Sequence, residues 1–164
     1  MYVIVLAAGF SRRRGSPKQL AMFEGETLIA RAARIAASVG DAIVVTTPEF
    51  ATGLQARVVI NDEAEEGMAS SIRAGVAACD DDVLIMLCDQ PHVTAAHLRA
   101  LADARAPIAA SAYAGTLGVP AYFAREFRAE LLALRGDRGA KAIIDAHREL
   151  VAAVPFEEGA VDVD

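Results

Sequence analysis

The chain has 164 residues, 54% of them apolar and 23% charged, and a net charge of −6. That length and composition support a packed core and exclude a disordered chain. The acidic balance argues against general nucleic-acid binding and favours a small ligand held at a local positive site. Cys79 and Cys88 match no metal-ligand spacing and read as free thiols in a reducing cytosol. No basic-then-apolar leader is visible, and no apolar run approaches the roughly 20 residues of a membrane span. A cytoplasmic protein is therefore expected. No repeat, low-complexity segment or linker divides the chain, so residues 1–164 are expected to form one domain.

Tyr2 to Leu6 is an apolar run that predicts a buried strand. It leads into Leu6-Ala7-Ala8-Gly9-Phe10-Ser11-Arg12-Arg13-Arg14-Gly15-Ser16-Pro17-Lys18. Such a glycine- and serine-containing loop between a strand and a helix can turn backbone N–H groups towards an anion. Arg12, Arg13, Arg14 and Lys18 add positive charge, and polyphosphate is the natural guest. The spacing fits neither G-x-x-x-x-G-K-[ST] nor G-x-G-x-x-G. Thr27 can cap a helix from about Glu26 to Val39, whose apolar positions recur at helical spacing, with Gly40 as its stop. Ala42–Thr46 and Arg57–Ile60 are short and β-branched and predict two more strands, with 48–55 a loop or a single helical turn.

Asn61 leaves the third strand, and Gly67-Met68-Ala69-Ser70-Ser71 opens a helix running towards Cys79. Helix capping explains one of these serines; the other reading has the helix start facing a ligand. Asp80-Asp81-Asp82 reads as a solvated turn. Val83–Leu87 is the most apolar strand and is expected at the centre of the sheet. It ends in Cys88-Asp89-Gln90-Pro91, which places Asp89 on the same sheet edge as the basic loop. A carboxylate beside polyphosphate needs an intervening cation, and Mg²⁺ is the usual one. A turn or helix cap before Pro91 is the plainer reading of Asp89. His92 and His97 stand five apart, off a shared helix face, so no zinc site is expected.

Thr94 can cap a helix to about Ala104, Pro107–Ala112 can form a strand, and Tyr113 to Phe123 is a turn into another. Arg125–Leu134 reads as an amphipathic helix, and Gly136-Asp137-Arg138-Gly139-Ala140-Lys141 opens one reaching His147. Leu150–Val154 is a further strand, and the chain ends Val161-Asp162-Val163-Asp164, with both carboxylates on one strand face. The succession predicts an α/β fold: three layers, α/β/α, around a mostly parallel, Rossmann-like sheet.

The first loop resembles L-A-A-G-x-S-x-R-x-G-x-P-K, the signature loop of the GT-A-like nucleotidyltransferases of the MobA-like NTP transferase superfamily. It is most similar to the branch containing molybdenum cofactor cytidylyltransferase. In that family an N-x(5)-G-M-x-S-S segment lies beside the base and ribose; Asn61, Gly67, Met68, Ser70 and Ser71 match it. C-D-Q-P resembles the family's metal-binding strand end. The family's G-x-P, often G-H-P, falls on Gly118 and Pro120, with Val119 at the histidine position. G-D-x-G-A-[RK] falls on Asp137, near the acceptor, although a turn plus a cap explains Asp137 equally well. Related sequences continue past D-x-D into a helix, and this sequence stops before it, so that helix is expected to be absent.

The resemblance implies transfer of a CMP, less readily a GMP, group from a nucleoside triphosphate to a phosphorylated acceptor, molybdopterin, with release of pyrophosphate. Leu6, Ala7, Ala8, Gly9, Ser11, Gly15, Lys18, Asn61, Ser70 and Ser71 would bind the nucleotide. Arg13 and Lys18 would stabilise charge at the α-phosphate and the departing pyrophosphate. Asp89 would hold Mg²⁺, with Asp164 or Asp162 as a second ligand. Ala8 stands where the guanylyl branch usually has glycine, which favours CTP. A phosphate nucleophile is already ionised at pH 7 and requires no general base. Gly118, Pro120 and Asp137 would face the acceptor, and a molybdoenzyme is a possible partner. Two alternatives stand beside this reading: a sugar-phosphate or alditol-phosphate nucleotidyltransferase, and a non-catalytic nucleotide-binding module serving molybdoenzyme maturation.

Overall fold

The structure is a computed structural model that describes residues 1–9 and 16–160. The chain opens with β1 (Tyr2–Ala7), whose residues alternate between two apolar faces. Val3, Val5 and Ala7 pack with one cluster, Ile4 and Leu6 with another. A strand apolar on both faces must be covered on both, which places β1 inside a three-layer fold. On the first face lie α1 (Leu28–Ala37), which supplies Ile29, Ala32, Ala33 and Ala36, and α3 (Ala95–Ala102), which supplies Leu98 and Leu101. The second face is covered by α2 (Met68–Ala77), α4 (Arg128–Leu132) and α5 (Lys141–Ala146), through Ile72, Val76, Leu131, Ile143 and Ile144.

The remaining strands are β2 (Met22–Phe23), β3 (Glu26–Thr27), β4 (Asp41–Thr46), β5 (Arg57–Ile60), β6 (Val83–Leu87), β7 (Ile108–Tyr113), β8 (Thr116–Phe123) and β9 (Val151–Pro155). Among the described residues the main sheet runs β5-β4-β1-β6-β8-β7-β9, and β2 and β3 form a separate hairpin. β4, β1 and β6 pair in parallel, as do β4 with β5 and β7 with β9; β8 is antiparallel to both its neighbours. The expected three-layer, mostly parallel α/β fold is the one observed, with β6 in the middle of the sheet as its apolarity predicted.

The strand order matters for function. From β1 the chain moves outward to β4 and β5, then returns to the other side of β1 to form β6. The two halves diverge between the carboxyl ends of β1 and β6, and such a switch point opens a crevice for ligands. The ladder extends one step past β6, where the Cys88 N–H donates to Leu6 O at 3.2 Å.

Several local expectations need correction. The Arg125–Leu134 helix is shorter: a 3-10 turn, Arg125–Phe127, followed by α4. The Asp80–Asp82 turn is not merely solvated. Asp80 pairs with Arg125 at 2.8 Å, and Asp82 accepts from the Tyr122 hydroxyl at 2.8 Å. Thr27 does cap α1, accepting from Ala30 N–H, and Thr94 caps α3 through His97 N–H.

Candidate active site

The crevice is a cleft of about 590 Å³, within the range of roughly 300–1,000 Å³ that small-molecule sites occupy. Leu6, Ala8 and Gly9 form one wall at the end of β1, and Leu87, Cys88 and Asp89 continue it at the end of β6. At Gly9 an added Cβ would meet no atom of the described residues within 4 Å.

The loop leaving β1 is anchored by side chains. Gln19, 97% buried, donates through Nε2 to Ala7 O and Gly9 O, both at 2.9 Å. Thr46, at the end of β4, donates to Ala7 O at 2.8 Å. The 3-10 turn Lys18–Leu20 thereby folds back onto the sheet edge and carries Lys18 into the cleft. Lys18 Nζ lies 3.1 Å from Asp89 Oδ2, so the cation of the first loop meets the carboxylate of the β6 end. The other Asp89 oxygen, Oδ1, is buried and has no hydrogen-bond partner among the described residues.

The serines do not cap α2. Its N-cap is Gly67, with no side-chain cap. Asn61 Nδ2 instead donates to Ser70 Oγ and Ser71 Oγ, both at 2.9 Å, while Asn61 Oδ1 accepts from Glu63 N–H at 2.9 Å. Ser70 donates onward to Gly67 O at 2.8 Å. Ser71 lines the cleft, and its hydroxyl, already accepting from Asn61, keeps its own hydrogen to donate to a ligand. Asn61 therefore supports Ser71 from behind.

Asp137 also lines the cleft and caps nothing: α5 begins after Ala140 without a side-chain cap. Gly118 and Pro120 lie on β8, outside the cleft lining. They are joined to the β6 end through Gln90, whose Nε2 donates to Val119 O at 3.2 Å. Ser11, Arg13, Gly15, Asp162 and Asp164 lie outside the described residues. Three residues that shape the cleft escaped the sequence reading: Gln19, Thr46 and Glu66. Only the placement of Thr46 at an apolar strand end hinted at a polar task.

Electrostatics set what the cleft can do. Among its described lining residues Lys18 is the cation, set against Glu65, Glu66, Asp89 and Asp137. Against these described residues a polyphosphate meets an excess of carboxylates, which an accompanying cation would offset; Arg12, Arg13 and Arg14 lie outside the described residues. An Asp89 oxygen without a partner is the kind of donor a hard divalent cation takes, alongside phosphate oxygens. No group of three or more His, Cys, Asp or Glu side chains converges on a metal among the described residues, so one carboxylate plus substrate oxygens is the fit they support. Burial, then the charge of Asp89, pushes the Cys88 thiol up to about 12. The Arg73 guanidinium and the Gly136 N–H bring the Glu66 carboxyl down to about 2.

The sequence pattern of the MobA-like NTP transferase domain matches residues 3–151. The chain belongs to this family of nucleotidyltransferases. Purine catabolism protein PucB of Bacillus subtilis is 30% identical over 161 residues, covering 86% of this chain and 78% of its own. A probable molybdenum cofactor guanylyltransferase of Synechococcus elongatus is 30% identical over 105 residues, 59% of this chain and 54% of the relative, so the match spans about half of that protein. The crystal structure of Rv0371c from Mycobacterium tuberculosis H37Rv superposes with a TM-score of 0.85 at 31% identity, covering 99% of this chain and 90% of that one. A further structure of Rv0371c is a complex with manganese, at 27% identity and a TM-score of 0.78, covering 95% of this chain and 88% of that one.

Proposed function

We propose that the chain transfers a cytidylyl group from CTP to the phosphate of molybdopterin, with Mg²⁺, releasing pyrophosphate. The observation that carries this reading is the Lys18–Asp89 pair at the switch point between β1 and β6, with one Asp89 oxygen left unpartnered. The reaction is an in-line displacement at the α-phosphorus. The acceptor phosphate oxygen forms the new P–O bond, and the bond to the bridging oxygen of pyrophosphate breaks. Such chemistry calls for positioning and charge neutralisation rather than covalent help.

Each residue has a corresponding task. The backbone at Ala8 and Gly9 borders the phosphates, and Gln19 and Thr46 fix that backbone by holding Ala7 O and Gly9 O. Lys18 supplies a point charge to the departing pyrophosphate. Asp89 would hold the divalent cation through its unpartnered oxygen; when bound, that cation screens the triphosphate and activates its α-phosphorus. Ser71 donates its hydroxyl hydrogen to the nucleoside, positioned by Asn61. Arg13 belongs to the same proposal from its place in the signature loop, as do Ser11 and Gly15; Asp162 and Asp164 are proposed second metal ligands. Asp137 faces the acceptor from the cleft, while Gly118 and Pro120, outside the cleft lining, belong to the proposal only from their place in the G-x-P motif. Molybdopterin as acceptor rests on the name carried by the cyanobacterial relatives.

The cytidylyl choice rests on Ala8, which stands where the guanylyl branch of the resembled family usually has glycine. The name carried by the same cyanobacterial relatives favours guanylyl transfer, a second reading within the same mechanism. Turnover of α-labelled CTP and GTP with molybdopterin and Mg²⁺ separates them. The proposal expects label transfer from CTP at least tenfold faster than from GTP, the order of one lost contact. Faster GTP turnover would reverse the base assignment, and no transfer from any nucleotide would overturn the function.

A further inference from the structure

Glu66 stands between the two arms of the cleft. It ends the 3-10 turn Ala64–Glu66, on the arm that carries Ser70 and Ser71. Its carboxylate accepts from Gly136 N–H at 2.9 Å, 70 residues further along the chain, and from Arg73 Nη1 at 2.7 Å. Arg73 donates in turn to Leu134 O at 2.9 Å. A backbone bond runs alongside: Ala69 N–H donates to Gly136 O at 3.1 Å. The two backbones are in such close contact that a Cβ at Gly67 would stand 2.6 Å from Gly136 O and overlap the Asp137 carboxylate. The turn that presents Asp137 is thus tied to the nucleotide arm, and Glu66 is the one side chain that bonds both Arg73 and that turn among the contacts described.

We propose that Glu66 is a positioning residue for the acceptor: by clasping the Gly136 turn it fixes Asp137 in the cleft that holds Lys18 and Asp89. The proposal rests on the nucleotidyltransferase reading above, and it adds a chemical class to the acceptor side. Asp137 carries a carboxylate that accepts hydrogen bonds, so the acceptor must present an N–H or O–H donor there, away from its own phosphate. Glu66 contributes no group to the reacting atoms. It sets where the acceptor's donor group is met.

The test compares the wild-type chain with Glu66→Ala and Glu66→Gln. Glu66→Gln keeps an oxygen for the Gly136 N–H and loses the charge facing Arg73. The readouts are KM and kcat for molybdopterin at saturating CTP or GTP, whichever turns over, nucleotide binding without acceptor, and hydrogen exchange at Gly136. In Glu66→Ala the acceptor KM is expected to rise about tenfold and the Gly136 amide to exchange faster, while nucleotide affinity stays within about twofold. Glu66→Gln is expected to recover most of the loss in KM. An unchanged acceptor KM in Glu66→Ala, in an otherwise active wild type, overturns the clasp and leaves the function standing. Equal losses in nucleotide affinity and kcat overturn it too, because they mark a general loosening. A wild type that turns over no nucleotide removes the function and the acceptor role together.

Discussion

Lys18 and Asp89 are 71 residues apart in sequence and 3.1 Å apart in space. Their meeting depends on the sheet. β1 and β6 are neighbours that run in parallel, so the loops leaving their carboxyl ends share one crevice. The pair is half of an arrangement that a polyphosphate and a cation would complete, with Lys18 turning to phosphate and both Asp89 oxygens becoming available to metal. This gives Asp89→Asn a sharp expectation. Turnover should fall by about 10²–10³-fold, as for loss of one electrostatic stabiliser. Metal-free nucleotide binding should persist. Undiminished turnover in this variant would show that Asp89 is not the metal carboxylate.

Asn61 supports Ser71 and Ser70 at once, and its third bond, to Glu63 N–H, fixes which way the amide faces. Asn61→Ala should destabilise the fold by about 1–3 kcal/mol, because it removes the partner of buried hydroxyls. That corresponds to a melting temperature lower by about 2–4 °C per kcal/mol for a chain of this size. Nucleotide affinity should fall in the same variant. A variant that melts like the wild type and binds nucleotide normally would mean the amide supports nothing.

Gly67 has φ of 124°, a conformation that side chains rarely adopt, and it touches the Gly136 backbone. Gly67→Ala meets both constraints, so the arms should separate. Acceptor KM should rise more than in Glu66→Ala, with a lower melting temperature. A crystal structure of Gly67→Ala with the Gly136 turn in place and an unaltered KM would contradict the packing argument.

His97 offers a pH test away from the cleft. Its Nε2 lies 2.8 Å from Ser111 Oγ, and Ser111 spends its hydrogen on Pro120 O at 2.6 Å, so the imidazole nitrogen is the donor. The ring stacks on Phe156 at 4.3 Å. Burial lowers the His97 pKa, and the charge of Glu158 only partly opposes this. A folded-state pKa below the unfolded value of about 6.5 means the contribution is full above that pH and is lost as pH falls through the lowered folded pKa. Glu66 and Asp80, held low by arginine, stay ionised in this window. Melting temperature should therefore drop between pH 7.5 and pH 5, and His97→Gln should flatten that slope. An equally steep slope in His97→Gln would assign it to another group.

The parallel strands were legible because burial on both faces writes a continuous apolar run, as in Tyr2–Leu6 and Val83–Leu87. The β2–β3 hairpin was not. Its turn uses Glu24 at φ 51° and Gly25 at φ 86°, and glutamate gives no turn signal of the Asn-Gly kind. Lys18, Asp89 and Ser71 were visible through the family's loop, strand end and N-x(5)-G-M-x-S-S segment that they resemble. Glu66 and Gln19 were not, because each acts on backbone brought near only by folding: Gly136 for one, Ala7 and Gly9 for the other. Asp137 was visible as a motif, but its task was open. The fold decides against capping by starting α5 after Ala140.

The measurement that bears most directly on the central claim is a thermal-melt panel of CTP, GTP, ATP and UTP, each with and without Mg²⁺. A nucleotide at about 100 times its Kd adds about 2.7 kcal/mol to stability, which raises the melting temperature by roughly 5–10 °C in a chain of this size. The cleft described here predicts a Mg²⁺-dependent rise that is largest for CTP and is lost in Asp89→Asn. A chain that melts at one temperature with every nucleotide, with or without Mg²⁺, would contradict it.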